Sequence, residues 1–318
     1  MPIRLPAAAG LLLLLAGCAT PAQHARAFWN GREPARVELT AVPFHPQRDY
    51  QCGPAALATV LGAGGADVEP DELAHEVFIP GRRGSLQTEL AASARRRGFL
   101  PYVLRPDSRS LLGEVASGRP VLVLQNLGVR LWPRWHYAVV VGYDVEKDRL
   151  LLRSGERERV SLPRARFEGT WQRAERWAMV VVQPGDIPAS AEAGDYAAAV
   201  ADLESAGGGS ASLLAAYSAG HARWPDDALL TLGVANQKAA LADAPGAEAL
   251  LRGLLLAEPG HVPARNNLAV VLMRMGRFAE ALREATAALA AAKGTAWERT
   301  VIETIDEIRA AQDPAQAR

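Results

Sequence analysis

The chain has 318 residues, and its 35 Lys+Arg against 35 Asp+Glu give a formal net charge of zero. That balance excludes a generic basic nucleic-acid binder and an acidic solvating tail, so no nucleic-acid partner is expected. Hydrophobic residues make up 49%, enough for packed cores over about two domains, while only 2 cysteines exclude a disulfide framework and a Cys-rich zinc site.

At the N-terminus Arg4 precedes an apolar run over 7–16 that includes five successive leucines. The run is short for a membrane span and reads as the core of a signal peptide. It ends in Leu15-Ala16-Gly17-Cys18, which resembles a bacterial lipobox. The expectation is a signal peptide over 1–18, a lipidated Cys18 and a membrane contact through acyl chains alone. Ala19 in place of Asp implies, by the same resemblance, an outer-membrane anchor facing the periplasm. With Cys18 acylated, Cys52 is left as a lone thiol, either a reactive group or a small buried apolar residue.

Residues 19–38 are polar without a clear period and read as a tether. Helices are expected over 53–61, 69–77 (with Pro70 near its first position), 86–97 and 111–116. Apolar, β-branched runs at 120–125, 137–143, 149–153 and 177–183 read as strands of a buried antiparallel sheet. Helices first and strands second give an α+β domain over 39–184. A turn-rich linker follows at 185–192.

Beyond it, Ala and Leu dominate and the strand signals stop. Residues 193–318 read as an all-α domain of tetratricopeptide-like repeats. One unit carries Leu268-Ala269, Gly276, Phe278, Ala281, Ala285 and Ala288. An earlier one carries Leu232-Gly233, Ala249 and Pro259, with 36 residues between the two leucines. Gly194, Tyr196, Ala199 and Leu203 read as the turn and second helix of an incomplete third unit, and the region near 297–308 as a capping helix. Such repeats would recruit a protein partner.

The string Gln47-Arg48-Asp49-Tyr50-Gln51-Cys52-Gly53-Pro54-Ala55-Ala56-Leu57 sets a thiol where a helix should begin. Free N–H groups and the positive helix end favour a thiolate there. His136 opens the strand after Trp135 and could serve as the base. The other histidines, His24, His45, His75, His221 and His261, lack metal-ligand spacing, so neither a metal nor a cofactor is expected. Ser85 either caps the following helix or lines a cleft. Gln125 and Asn126 could meet substrate. Trp132 and Trp135 wall the cleft or merely pack. Arg95, Arg96 and Arg97 read as a solvated helix end.

Cys-Gly-Pro-Ala-Ala-Leu at 52–57 and His-Tyr-Ala-Val-Val-Val-Gly-Tyr-Asp at 136–144 together resemble the bacteriocin-processing double-glycine peptidases, which are papain-like cysteine peptidases. The full layout resembles a bacterial cysteine-peptidase lipoprotein family with C-terminal repeats. The resemblance implies a papain-like cysteine peptidase domain acting on peptide or protein substrates, with Cys52 as nucleophile and His136 as base. It implies cleavage after small residues such as Gly-Gly. It also implies a Gln donating to the oxyanion beside the Cys52 N–H. Gln47 is the expected donor and adjacent Gln51 the alternative. The family's Asp or Asn on the strand after the histidine is missing. Ser154 stands in the expected slot, with Asp144 and Asp148 as further candidates. A hydroxyl can orient an imidazole but supplies no charge. The competing reading is therefore a catalytically weak, peptide-binding scaffold, and hydrolysis is not distinguished from transpeptidation.

Overall fold

The computed structural model describes residues 27–29, 31, 34–47, 51–82 and 84–312. The expected signal peptide and Cys18 lie outside the described residues. The sheet domain runs β1 Arg36–Glu38, α1 Cys52–Ala63, α2 Pro70–Val77, α3 Gln87–Arg96, β2 Leu100–Val103, α4 Ser108–Ala116, β3 Val121–Asn126, β4 Trp135–Asp144, β5 Arg149–Ser154, β6 Arg157–Pro163, α5 Arg164–Gln172 and β7 Ala178–Val182. Seven helices follow: α6 Ala193–Ser205, α7 Ser210–Arg223, α8 Ala228–Ala240, α9 Ala244–Ala257, α10 Val262–Arg274, α11 Phe278–Ala292 and α12 Glu298–Gln312. The architecture is α+β.

The strands form one antiparallel sheet in the order β2-β7-β3-β4-β5-β6. β1 joins the far half of β4, pairing Arg36 with Asp144 and Glu38 with Gly142. Both faces are covered, which is why β3 and β4 read as unbroken apolar runs. Leu122, Val139, Val141 and Met179 pack under α1, α2 and α3 against Leu57, Leu61, Leu73 and Leu90. The alternate residues Val121, Val123, Ala138 and Val140 pack the other way, against Leu111, Leu112, Phe167 and Trp171. α1 lies between the sheet and its two neighbouring helices, and every residue from Gly53 to Leu61 is buried. This fixes the position of its first residue, Cys52.

Three sequence expectations change. The tether is partly built into the domain. Phe28 and Trp29 are buried in the core beside Phe167 and Tyr143, and 36–38 is a strand. The residues at 194–203 form α6, which starts 35 residues before α8, so it holds the place of a first helix rather than a second. Helices α7, α9 and α11 start at 34-residue intervals. Arg95 and Arg97 are not merely solvated, since they pair with Asp202 and Glu76.

The turn-rich segment after β7 is a fixed joint. Glu114 of α4 is fully buried, and its Oε1 accepts from Ser190 N at 2.7 Å and Ser190 Oγ at 2.6 Å. Glu192 N donates to Tyr102 Oη at 3.3 Å. Tyr196, Val200, Leu203, Leu213 and Tyr217 then continue the apolar cluster on that face of the sheet. Removing the Glu114 carboxylate strands both Ser190 donors and leaves Arg119, 3.6 Å from Oε2, unpaired. Glu114→Ala should therefore lower stability by about 3 kcal/mol in chemical denaturation, and Glu114→Gln by less.

Candidate active site

Cys52 is the first residue of α1, with Gln51 in the N-cap position. Gly53 is required for packing. A Cβ there would strike Ser85 Oγ, so only glycine lets the 84–86 loop close over the helix start. Ser85 is accordingly not the cap of α3. That position belongs to Leu86, and Ser85 lines the cleft with a buried, unpartnered hydroxyl.

His136 is carried by β4, and its Cα pairs with that of Gln125 on β3. Its Nε2 lies 2.8 Å from Ser154 Oγ, the last residue of β5. With Nε2 engaged, Nδ1 is the ring nitrogen left to face a thiol. Asp144 and Asp148 sit at the other end of β4, about 25 Å along the strand by its rise per residue. There Asp144 caps a turn through Lys147 N, and Asp148 accepts from Trp29 and Arg164. Neither is a partner of the imidazole.

Gln47 is held by three bonds. Its Nε2 donates to Tyr137 O at 3.2 Å, its Oε1 accepts from Gly155 N at 3.0 Å, and its own N donates to Gly155 O at 3.0 Å. One Nε2 hydrogen remains uncommitted. Gln51 is not among the residues lining the cleft; Gln47, Cys52 and His136 all are. The cleft has a volume of about 960 Å³ and is also bordered by Ser85, Trp135 and Arg173. Trp135 forms a wall, whereas Trp132 stands outside it. Gln125 and Asn126 brace the scaffold instead of meeting substrate. Gln125 Nε2 donates to Thr170 Oγ1 at 2.6 Å, and Asn126 Oδ1 accepts from Gly128 N and Arg134 N.

The electrostatics depart from the expected thiolate. Burial pushes the Cys52 thiol above its ordinary value and outweighs the backbone N–H groups of Tyr137, Gly53 and Cys52 that favour the anion. Burial, followed by the nearby Arg134 charge, pushes the His136 imidazole down. The helix end offers only partial charge, and no carboxylate touches the imidazole to offset this. Both shifts favour an uncharged thiol and an uncharged imidazole in the resting pair. No group of three metal-ligating side chains is found among the described residues.

A helix-borne thiol and a strand-borne imidazole, lining one cleft above an antiparallel sheet, define a cysteine-type peptidase. Residues 39–179 match the family described as Peptidase_C39 like family. Among solved structures the chain is similar to a C39-like peptidase from Bacillus anthracis, with 21% identity over 47% of this chain and 98% of that one and a TM-score of 0.39. It is similar also to the peptidase domain of Streptococcus ComA, described as a bi-functional ABC transporter of a quorum sensing pathway. That match has 22% identity over 44% of this chain and 98% of the other, with a TM-score of 0.37. A search of curated proteins finds no match.

Two substitutions test the geometry. Ser154→Asp places a carboxylate on Nε2, which raises the imidazole pKa and favours a thiolate–imidazolium pair. The pH profile of Cys52 alkylation should move toward acid by about one unit or more. Gly155 has a φ of +63°, with open space where a Cβ would stand. Gly155→Ala should cost about 1 kcal/mol in denaturation from backbone strain alone, and Gly155→Asn less.

Proposed function

We propose that the chain is an exported, lipid-anchored peptidase in which Cys52, His136, Gln47 and Ser154 form the working site. The observation that carries the assignment is the pairing of His136 Nε2 with Ser154 Oγ. It leaves Nδ1 for the thiol in the cleft that Cys52 lines. Nδ1 takes the thiol proton as sulfur attacks the peptide carbonyl carbon. The developing oxyanion is held by the Cys52 N–H and the free Nε2 hydrogen of Gln47. His136 returns the proton to the leaving amine, giving a thioester. Water then adds with His136 as base, and the acid fragment leaves as the thiol re-forms.

Because the resting pair is neutral, proton transfer accompanies attack, and His136 must be unprotonated. The rate should therefore fall as pH drops through the lowered imidazole value, below 6.5. The acidic limb of kcat/KM for any cleaved peptide checks this. Cleavage after Gly-Gly is carried by the family resemblance. Mass spectrometry of a peptide library, comparing the chain with Cys52→Ala, tests both hydrolysis and site preference. Products absent from the Cys52→Ala reaction support the enzyme. Peptides bound equally by both forms and never cut would favour the scaffold, a reading supported by the neutral Ser154 in the third position.

The lipid anchor rests on the Leu15-Ala16-Gly17-Cys18 string and the apolar run before it. An outer-membrane, periplasm-facing location follows from Ala19 by the same resemblance. Labelled palmitate should enter the chain in bacterial cells and fail to enter Cys18→Ser. The tetratricopeptide reading of 193–318, with a protein partner recruited there, is supported by the 34-residue spacing of helix starts and by the small residues Gly233 and Ala269 in α8 and α10.

A further inference from the structure

The loop between β3 and β4 carries an exposed apolar tip. Leu131 is 80% exposed, Trp132 75%, Val129 58% and Trp135 56%. Most other large apolar side chains of the sheet domain fill the core, with Val103 on β2 a half-exposed exception. The loop is nevertheless well braced. Leu127 N donates to Arg134 O at 2.8 Å, and Trp132 N to Val129 O at 3.2 Å. Asn126 ties the two ends together, and Arg173 holds Asn126 O through Nε and Nη2. The fold thus presents large apolar groups to solvent in a fixed arrangement.

Basic groups surround the tip. Arg130 and Arg134 lie on the loop, and Arg166 and Arg173 on the neighbouring α5 and the turn after it. None of the four makes an ion pair among the described residues, whereas Arg97, Arg265 and Arg277 are all paired. Arg134, Arg166 and Arg173 share a recess of about 380 Å³ with Leu127 and Thr170, and none of its lining residues is Asp or Glu. Glu175 borders the main cleft and not this recess.

We propose that this face docks on an anionic lipid surface, with Leu131 and Trp132 entering the interface and the four arginines contacting headgroup phosphates. Tryptophan and leucine beside arginine is the side-chain chemistry of an interfacial insert. The alternative occupant, an acidic and apolar peptide, fits less well. A peptide groove half-buries its contact residues, whereas Leu131 and Trp132 touch little of the protein and do not line the cleft. Docking would open the cleft toward the membrane, because Pro133, Arg134 and Trp135 border both. It requires neither the lipid anchor nor catalysis.

The test uses the full chain carrying Cys52→Ala, so that a failed peptidase assignment does not affect it. Partition is measured on vesicles of equal parts phosphatidylglycerol and phosphatidylcholine, and on phosphatidylcholine alone. The N-terminal apolar run is present in every arm, so differences report the loop. Bromine on the acyl chains should quench Trp132 fluorescence, read as the difference from Trp132→Phe. Arg130→Gln with Arg166→Gln should weaken binding to the anionic vesicles about 25-fold, or about fivefold per arginine. The same pair should change binding to phosphatidylcholine little, and an unchanged thermal melt confirms folding. The proposal fails if Trp132 is not quenched or if the arginine pair leaves partition unaltered. It also fails if the loop variants keep full partition while raising KM for a peptide in the Cys52 form.

Discussion

The turn between β5 and β6 governs the site. Ser154 Oγ holds one nitrogen of His136, and the next residue, Gly155, clasps Gln47 through both its N–H and its carbonyl. Two groups with separate tasks, proton transfer and oxyanion binding, are thus set by adjacent residues of one hairpin. The hairpin is fixed by the β4–β5 register, in which Val139 meets Arg153. Arg153 is itself buried and donates to carbonyls of Val42 and Glu158, tying the strand to the segment that leads to Gln47. The chemistry depends on strand register more than on any single contact.

Burial decides the charge state. A helix start supplies N–H groups and about half a unit of positive charge, and both favour thiolate. Here the thiol is part-buried beside Tyr137 and the sheet, and loss of hydration wins. The imidazole meets the same penalty with a positive neighbour added. A carboxylate in place of Ser154 would reverse this balance; a hydroxyl can orient the ring but cannot. Enclosure also strengthens any hydrogen bond to a developing oxyanion. An uncharged resting pair therefore remains compatible with peptide cleavage.

Much of this was legible in the chain. The central strands announced themselves because both faces are buried, so β3, β4, β5 and β7 are continuous apolar runs. Cys52 and His136 stood out through the strings around them, and Ser154 through its position after the histidine. Other parts left weaker signals. β1 has three residues and makes sense only against β4. β2 contains Pro101 and is four residues long. β6 is a largely exposed edge strand, and α5, with Gly169 in its middle, shows little apolar periodicity. The Ser85 contact with Gly53 and the clasp on Gln47 are tertiary and carry no sequence period. The joint at Ser190 was hidden because turn chemistry looks alike whether a segment is free or bonded to a buried carboxylate.

The site rests as an uncharged pair, with the imidazole oriented by Ser154 and ready to accept a proton. The most direct measurement is a nitrogen-15 NMR titration of the His136 ring in the free protein. A midpoint below 6.5, with Nε2 hydrogen-bonded on the neutral side, is the predicted result. A ring that stays protonated well above 6.5, and loses its proton together with the Cys52 thiolate, would contradict it.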